Sequence, residues 1–294
     1  MKLALALIIS LSYLISFTNA GERQSFDKDR DLFIAQFDNM PDSDDIHSQA
    51  ALGSMMSRSK YSDVKMVAVH GTYGTQFSKG KGKWKFIDSA SLFDMAFGLK
   101  DEKWVDAHRE RPKAVQFLMN KAKATLTAGG KVWVMEAGQS NVTADWVAAL
   151  IEAGIKNTKT HVIVVQHSRW NEGATSKDKL AYTKANTNFV TIDDGNAEAG
   201  DYSKRAKRGD LTPKLLSTSK DFIKSATGEE NKNVFTRSLW EEAKKITDAC
   251  SYKSGPIPKG GVDFSDVVEA LWIFESTKRI TSVDVFWDTY VLAE

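Results

Sequence analysis

The chain has 294 residues, and its 40 Lys and Arg against 38 Asp and Glu argue against a nucleic-acid partner held mainly by phosphate neutralisation. A single cysteine, Cys250, excludes an intrachain disulfide framework. The basic stretches Lys79 to Lys85 and Lys204 to Arg208 are local and read as solvated loops.

The first twenty residues carry Lys2, an apolar run from Leu3 to Phe17, and the small-residue end Thr18-Asn19-Ala20. This is the pattern of a cleavable secretory signal, and it predicts a secreted or periplasmic protein with no membrane partner once the signal is removed. Residues 21–294 then suit one large α/β domain, and their number sets no oligomeric state.

Short apolar runs alternate with longer segments of helical period. Leu32 to Ala35, Val64 to Val69, Val132 to Met135, Val162 to Val165 and Phe189 to Ile192 read as strands. Ile46 to Arg58, Arg111 to Thr127 and Ala144 to Ala153 read as the helices between them, the second ended by Gly129-Gly130. Such alternation predicts an α/β fold, a mostly parallel, doubly wound, Rossmann-like sheet with helices on both faces. Further on, Asn196 to Lys214 reads as a polar loop or lid, and Thr236 to Ala249 and Ser265 to Phe274 as two helices. Between those helices a loop built of Gly255, Pro256, Pro258, Gly260 and Gly261 is long enough to wall a site.

In sheets of this kind ligands sit beyond the carboxyl ends of the strands, so residues just after each strand carry the functional expectations. After the first strand come Asp38, Asp42, Asp44 and Asp45 within eight residues. Crowded carboxylates suit a hard cation such as Ca²⁺, which takes six to eight oxygen ligands. The competing view is a solvated acidic turn in which Ser43 or Asp44 caps the next helix. After the third strand, Gly138 to Thr143 offers Ser140 and Asn141, which also suit a turn with Asn141 or Thr143 as a cap. After the fourth, His167, Trp170, Asn171 and Glu172 form a polar and aromatic cluster fit for a ring compound held by hydrogen bonds and stacking. Asn196 follows the fifth strand, and Asp266 opens the last predicted helix, where capping and the helix dipole also favour an acid.

Taken in order, the Asp-Asp pair before a small-residue helix, the strand ending Val67-Ala68-Val69-His70-Gly71-Thr72, the Gly138 turn and the Asp266 turn resemble the nucleoside hydrolase superfamily, as a divergent secreted branch. The resemblance implies a nucleoside hydrolase-like fold, a Ca²⁺ held by Asp38, Asp45, a Ser140 or Gln139 carbonyl and Asp266, and hydrolysis of N-glycosidic bonds in a small nucleoside or sugar substrate. It implies Asp38 or Asp42 as proton acceptor, His167 or Glu172 as an aid to departure of the base, and substrate contacts from Asn141, Trp170, Asn171, Glu172 and Asn196. The sequence departs from the family pattern at Met40, which occupies an expected carboxylate position, and at Ser265, which stands where the family has a histidine. These departures keep two other readings open: a calcium-stabilised carbohydrate-binding protein, and an exported α/β protein whose site has decayed.

Overall fold

In a computed structural model, residues 24–41, 43–167, 169–196, 212–253 and 255–293 are described. The expected signal, Asp42 and residues 197–211 of the expected lid lie outside them. Six strands, β1 (Leu32–Phe37), β2 (Lys65–His70), β3 (Trp104–Asp106), β4 (Val132–Ala137), β5 (Val162–Gln166) and β6 (Asn188–Thr191), form one parallel sheet in the order β3-β2-β1-β4-β5-β6. The longer helices are α1 (Asp44–Met56), α2 (Ala90–Phe97), α3 (Arg111–Thr127), α4 (Asn141–Glu152), α5 (Arg169–Ala174), α6 (Lys177–Asn186), α7 (Asp221–Thr227), α8 (Val234–Ala249) and α9 (Val267–Ile273). A two-stranded antiparallel ribbon, β7 (Leu216–Ser217) with β8 (Val262–Asp263), lies outside the main sheet.

The central strands are buried from end to end, as expected of a parallel sheet covered on both faces. Alternate side chains separate into two cores. Phe33, Ala35, Phe37, Trp133, Met135, Ile163 and Val165 pack with α1, α2, α8 and α9. Leu32, Ile34, Val67, Val69, Val132, Val134, Val162 and Val164 pack with α3 and α4 on the opposite face. In α3 the buried residues Ala114, Leu118, Ala122 and Leu126 recur every fourth position, which gives the narrow apolar stripe of a surface helix.

The sequence reading set five parallel strands; the sixth, β3, is an edge strand of three residues paired to Ala68, Val69 and His70. Its brevity leaves no periodicity to detect, and its place is fixed by pairing with β2 rather than by its own apolar content.

Strand order reverses between β1 and β4. From β1 the chain passes to α1 on one face, and from β4 it passes to α4 on the other. Phe37 is level with both His70 and Ala137, so the loops after β1, β2 and β4 start at one height and open a crevice between them. Gly138 is required there, because a Cβ on it would lie 2.4 Å from Thr72 Oγ1 and 2.9 Å from Asp38 Cβ. Among the described residues no helix is long and apolar enough to cross a membrane.

Candidate functional site

The crevice encloses about 270 Å³ and is lined by Asp38, Met40, Pro41, Asp44, Asp45, Ala137, His167, Trp170, Asn171, Asp194, Asn196 and Asp266. Of the residues expected from sequence, Asp38, Asp45, His167, Trp170, Asn171, Asn196 and Asp266 therefore meet in one place, although Asp38 and Asp266 stand far apart in the chain.

The turn after β1 is built around Asn39, whose φ of 57° is left-handed, a conformation Asn tolerates better than most residues. Its side chain fixes that turn by donating to the Ile87 carbonyl and to Ser89 Oγ while accepting from Gln49 Nε2. The turn brings Asp38 and Asp45 to the same side. Asp38 Oδ1 accepts the Met40 backbone N–H at 2.8 Å, and its Oδ2 accepts Gln76 Nε2 at 3.0 Å and Gln139 Nε2 at 2.7 Å. The Gln139 amide also donates to Asn171 Oδ1 at 3.0 Å, so one glutamine from the β4 turn fixes both groups. Gln76, from the single turn Gln76–Lys79, touches Gln139 closely as well.

Asp45 is buried, and its Oδ2 accepts the Asn39 backbone N–H at 2.8 Å. Its Oδ1 is buried with no donor to accept from, and the two carboxyl groups, Asp45 and Asp38, meet each other. Burial, reinforced by the charges of Asp38, Asp266 and Asp44, holds Asp45 well above the usual carboxylate range. Burial likewise lifts Asp266, opposed by His167 and reinforced by Glu269, Asp38 and Asp263.

His167 is delivered by the end of β5 to the start of α9. Its backbone N–H donates to Glu269 Oε1 at 2.9 Å, and its Nδ1 lies 3.1 Å from the same oxygen. Its Nε2 faces Asp266 Oδ1 at 3.8 Å and Asp194 Oδ1 at 4.0 Å. Glu269 is fully buried within the apolar run of α9, and burial raises its carboxyl well above the ordinary value. The imidazole is thus clamped at one nitrogen and presents the other toward the crevice. Trp170, 45% exposed, stands at the rim with its ring centroid 6.2 Å from that of Trp84.

Three expected residues are placed elsewhere. Glu172 pairs with Lys184 at 2.6 Å and accepts from Thr191 Oγ1 at 3.3 Å, because the first turn of α5 directs it toward α6 and β6 rather than into the crevice. Asn141 donates to Ser176 Oγ at 2.6 Å and accepts the Ser176 N–H at 3.2 Å, so its amide ties α4 to the start of α6. The Ser140 carbonyl accepts Thr183 Oγ1 at 3.4 Å, beneath the pocket wall. Asp42 lies outside the described residues.

Three residues that shape the crevice were not expected from sequence, Gln76, Asp194 and Glu269, and Gln139, expected only as a carbonyl donor, acts through its side-chain amide. Glu269 alone left a signal, being the one charged residue in Val267-Val268-Glu269-Ala270-Leu271-Trp272-Ile273. A charge in a helix buried all round must be paired or functional.

Among the described residues no group of three or more His, Cys, Asp or Glu side chains forms a ready-made metal cage. The donor chemistry of the crevice still fits a hard cation: the carboxyl oxygens of Asp38, Asp45 and Asp266, a buried Asp45 Oδ1 without a donor, and acidic groups whose charges oppose one another. No family model, no curated protein and no solved structure matches the chain.

Proposed function

We propose that the chain is an exported, calcium-dependent hydrolase of N-glycosidic bonds, acting on ribonucleosides or a related small glycoside, with a nucleoside hydrolase-like arrangement of its α/β fold. The observation that carries the reading is the convergence of Asp38, Asp45, Asp266 and His167 at the point where strand order reverses, with Asp45 Oδ1 buried and lacking a donor. Asp38, Asp45 and Asp266 would hold the ion. When bound, Ca²⁺ supplies positive charge for the vicinal hydroxyls of a sugar and for acidifying an attacking water.

The chain's own groups account for the rest. Asp38, held in one orientation by Met40, Gln76 and Gln139, is placed to accept the proton of the attacking water. The carboxylates around the crevice stabilise the positive charge that develops on the sugar as the bond to the base breaks. His167, clamped by Glu269, presents Nε2 as the proton donor for the departing base. It thereby serves from β5 the part that Ser265 cannot serve from the late helix. Trp170 offers a half-exposed ring face for stacking on that base.

The test is calcium titration of the protein by calorimetry, with Asp45→Asn alongside, followed by assay of nucleosides for released base. Calcium binding lost in the variant, together with base release by the wild type, is the expected result. Absence of calcium binding by the wild type overturns the reading. Calcium binding with sugar binding but no released base favours a carbohydrate-binding protein.

A further inference from the structure

The Gly- and Pro-rich loop before β8 is not used by the crevice at the end of β1. It walls a second cavity of about 570 Å³, a size that accommodates a small ligand. Around this cavity stand Lys220 at the N-cap and Lys224 in the last turn of α7, Lys244 from α8, and Lys253 and Lys259 from the loop. A single carboxylate, Asp248, lines it against these five cations, in a protein whose formal net charge is only +2. Asp248 is engaged by Lys244 at 2.5 Å, and its carbonyl accepts Lys253 Nζ at 3.3 Å. Among the described residues Lys220, Lys224 and Lys259 form no ion pair.

Two features separate this cavity from a solvated lysine face. The wall is built to a close fit. Gly260 has a φ of +86°, and a Cβ there would meet the Lys220 stem at 3.2 Å, while a Cβ on Gly261 would lie 2.1 Å from the Ser217 carbonyl. The loop is thereby pressed against β7 and the Lys220 stem. The lining also holds an imidazole. His47, only 2% exposed, lines the cavity, and its Nδ1 accepts the Asp263 backbone N–H at 3.3 Å. The proton of the neutral ring therefore sits on Nε2.

Five lysines around a concavity with one carboxylate among them, and a neutral imidazole N–H in its wall, describe an anion site. We propose that this groove binds a multiply charged oxyanion ligand, a small molecule bearing two or more phosphate or sulfate ester groups, at a site separate from the crevice. Tetrahedral oxyanions accept several charge-assisted hydrogen bonds at once, which lysine ammonium groups and an imidazole N–H supply. Because Asp263 accompanies Asp266 on one short segment and His47 accompanies Asp45 on α1, the two cavities share their supporting backbone.

The test is calorimetric titration of the protein with sodium triphosphate and, separately, with sucrose octasulfate, at about 0.15 M ionic strength so that unspecific charge attraction is screened. The double variant Lys220→Gln/Lys224→Gln changes exposed side chains only and keeps the fold. Lys121→Gln/Lys123→Gln on α3 removes the same charge far from the groove. The expected result is saturable one-to-one binding of at least one probe by the wild type, weakened about tenfold or more in the groove variant and unchanged in the α3 variant. The proposal is overturned if neither probe binds the wild type, or if both variants weaken binding equally.

Discussion

Replacing Asp45 by Asn separates the cost of the acidic crevice from its use. In the wild type without a cation, Asp45 is buried against the Asp38 carboxyl group, and burial with the charges of Asp38 and Asp266 drives it to take up a proton. Asparagine at this position keeps an oxygen for the Asn39 N–H and turns an amide N–H₂ toward Asp38. The amide donates to Asp38 without the proton uptake that the Asp45 carboxyl needs, a hydrogen bond to a charged group worth about 1.5–3 kcal/mol. Partial loss of that gain to imperfect geometry leaves a rise in melting temperature of roughly 3–6 °C for a chain of this size. Calcium should reverse the order, since ion at a hundred times its dissociation constant adds about 2.7 kcal/mol to a protein that binds it and nothing to one that does not. The assay is thermal unfolding of both proteins in chelator and in excess calcium. Asp45→Asn should melt higher than wild type in chelator and lower in calcium. A variant that melts lower in both conditions, or a wild type that calcium does not shift, refutes the reasoning.

Glu136 is fully buried among Gln36, Thr143 and, more distantly, Glu269, and burial pushes its carboxyl up to about 8 from an ordinary 4.5. Because the folded value is the higher, its contribution is complete below about 4.5 and is lost as pH rises toward about 8. Glu136→Gln should flatten the fall in urea midpoint between those values, and an unchanged slope would contradict the assignment. Glu269→Gln weakens the clamp on His167 without touching the crevice, so kcat for base release should fall about 10–100-fold while calcium affinity stays within a few-fold. Equal losses in both would make Glu269 a general structural support instead. Trp170→Ala should raise KM for a nucleoside about tenfold, as loss of a base-stacking face does, and leave calcium binding unchanged. Gly138→Ala should destabilise the protein by about 1–3 kcal/mol through overlap with Thr72 and Asp38, read as a lowered denaturant midpoint.

The parts of the fold legible in the sequence are those where local pattern and tertiary environment agree. Strands β1, β4 and β5 are apolar because both faces are covered, and the same property marks them as short uninterrupted runs. β3 violates that agreement: Trp104-Val105-Asp106 has no run to recognise and exists because β2 offers it an edge. The first helix starts two residues earlier than expected for a related reason. Residues 44 and 45 are already helical, although their charges, read alone, suggest the loop before it.

The crevice divides along the same line. Asp38, Asp45, His167, Asn171 and Asp266 were legible because a parallel sheet exposes its strand ends, so position along the chain predicts position in space. Glu172 and Asn141 meet that positional rule equally well, yet the first turns of α5 and α4 direct them to Lys184 and Ser176. Strand-end position selects a neighbourhood, and helical phase then decides which members of the neighbourhood face the cavity. Gln76, Glu269 and the side-chain role of Gln139 were illegible for the complementary reason. They act on Asp38, Asn171 and His167 through contacts between segments distant in sequence. A residue whose role is to hold another carries no pattern of its own, and only the packing of α9 against β5 and of the β4 turn against β1 gives Glu269 and Gln139 something to hold.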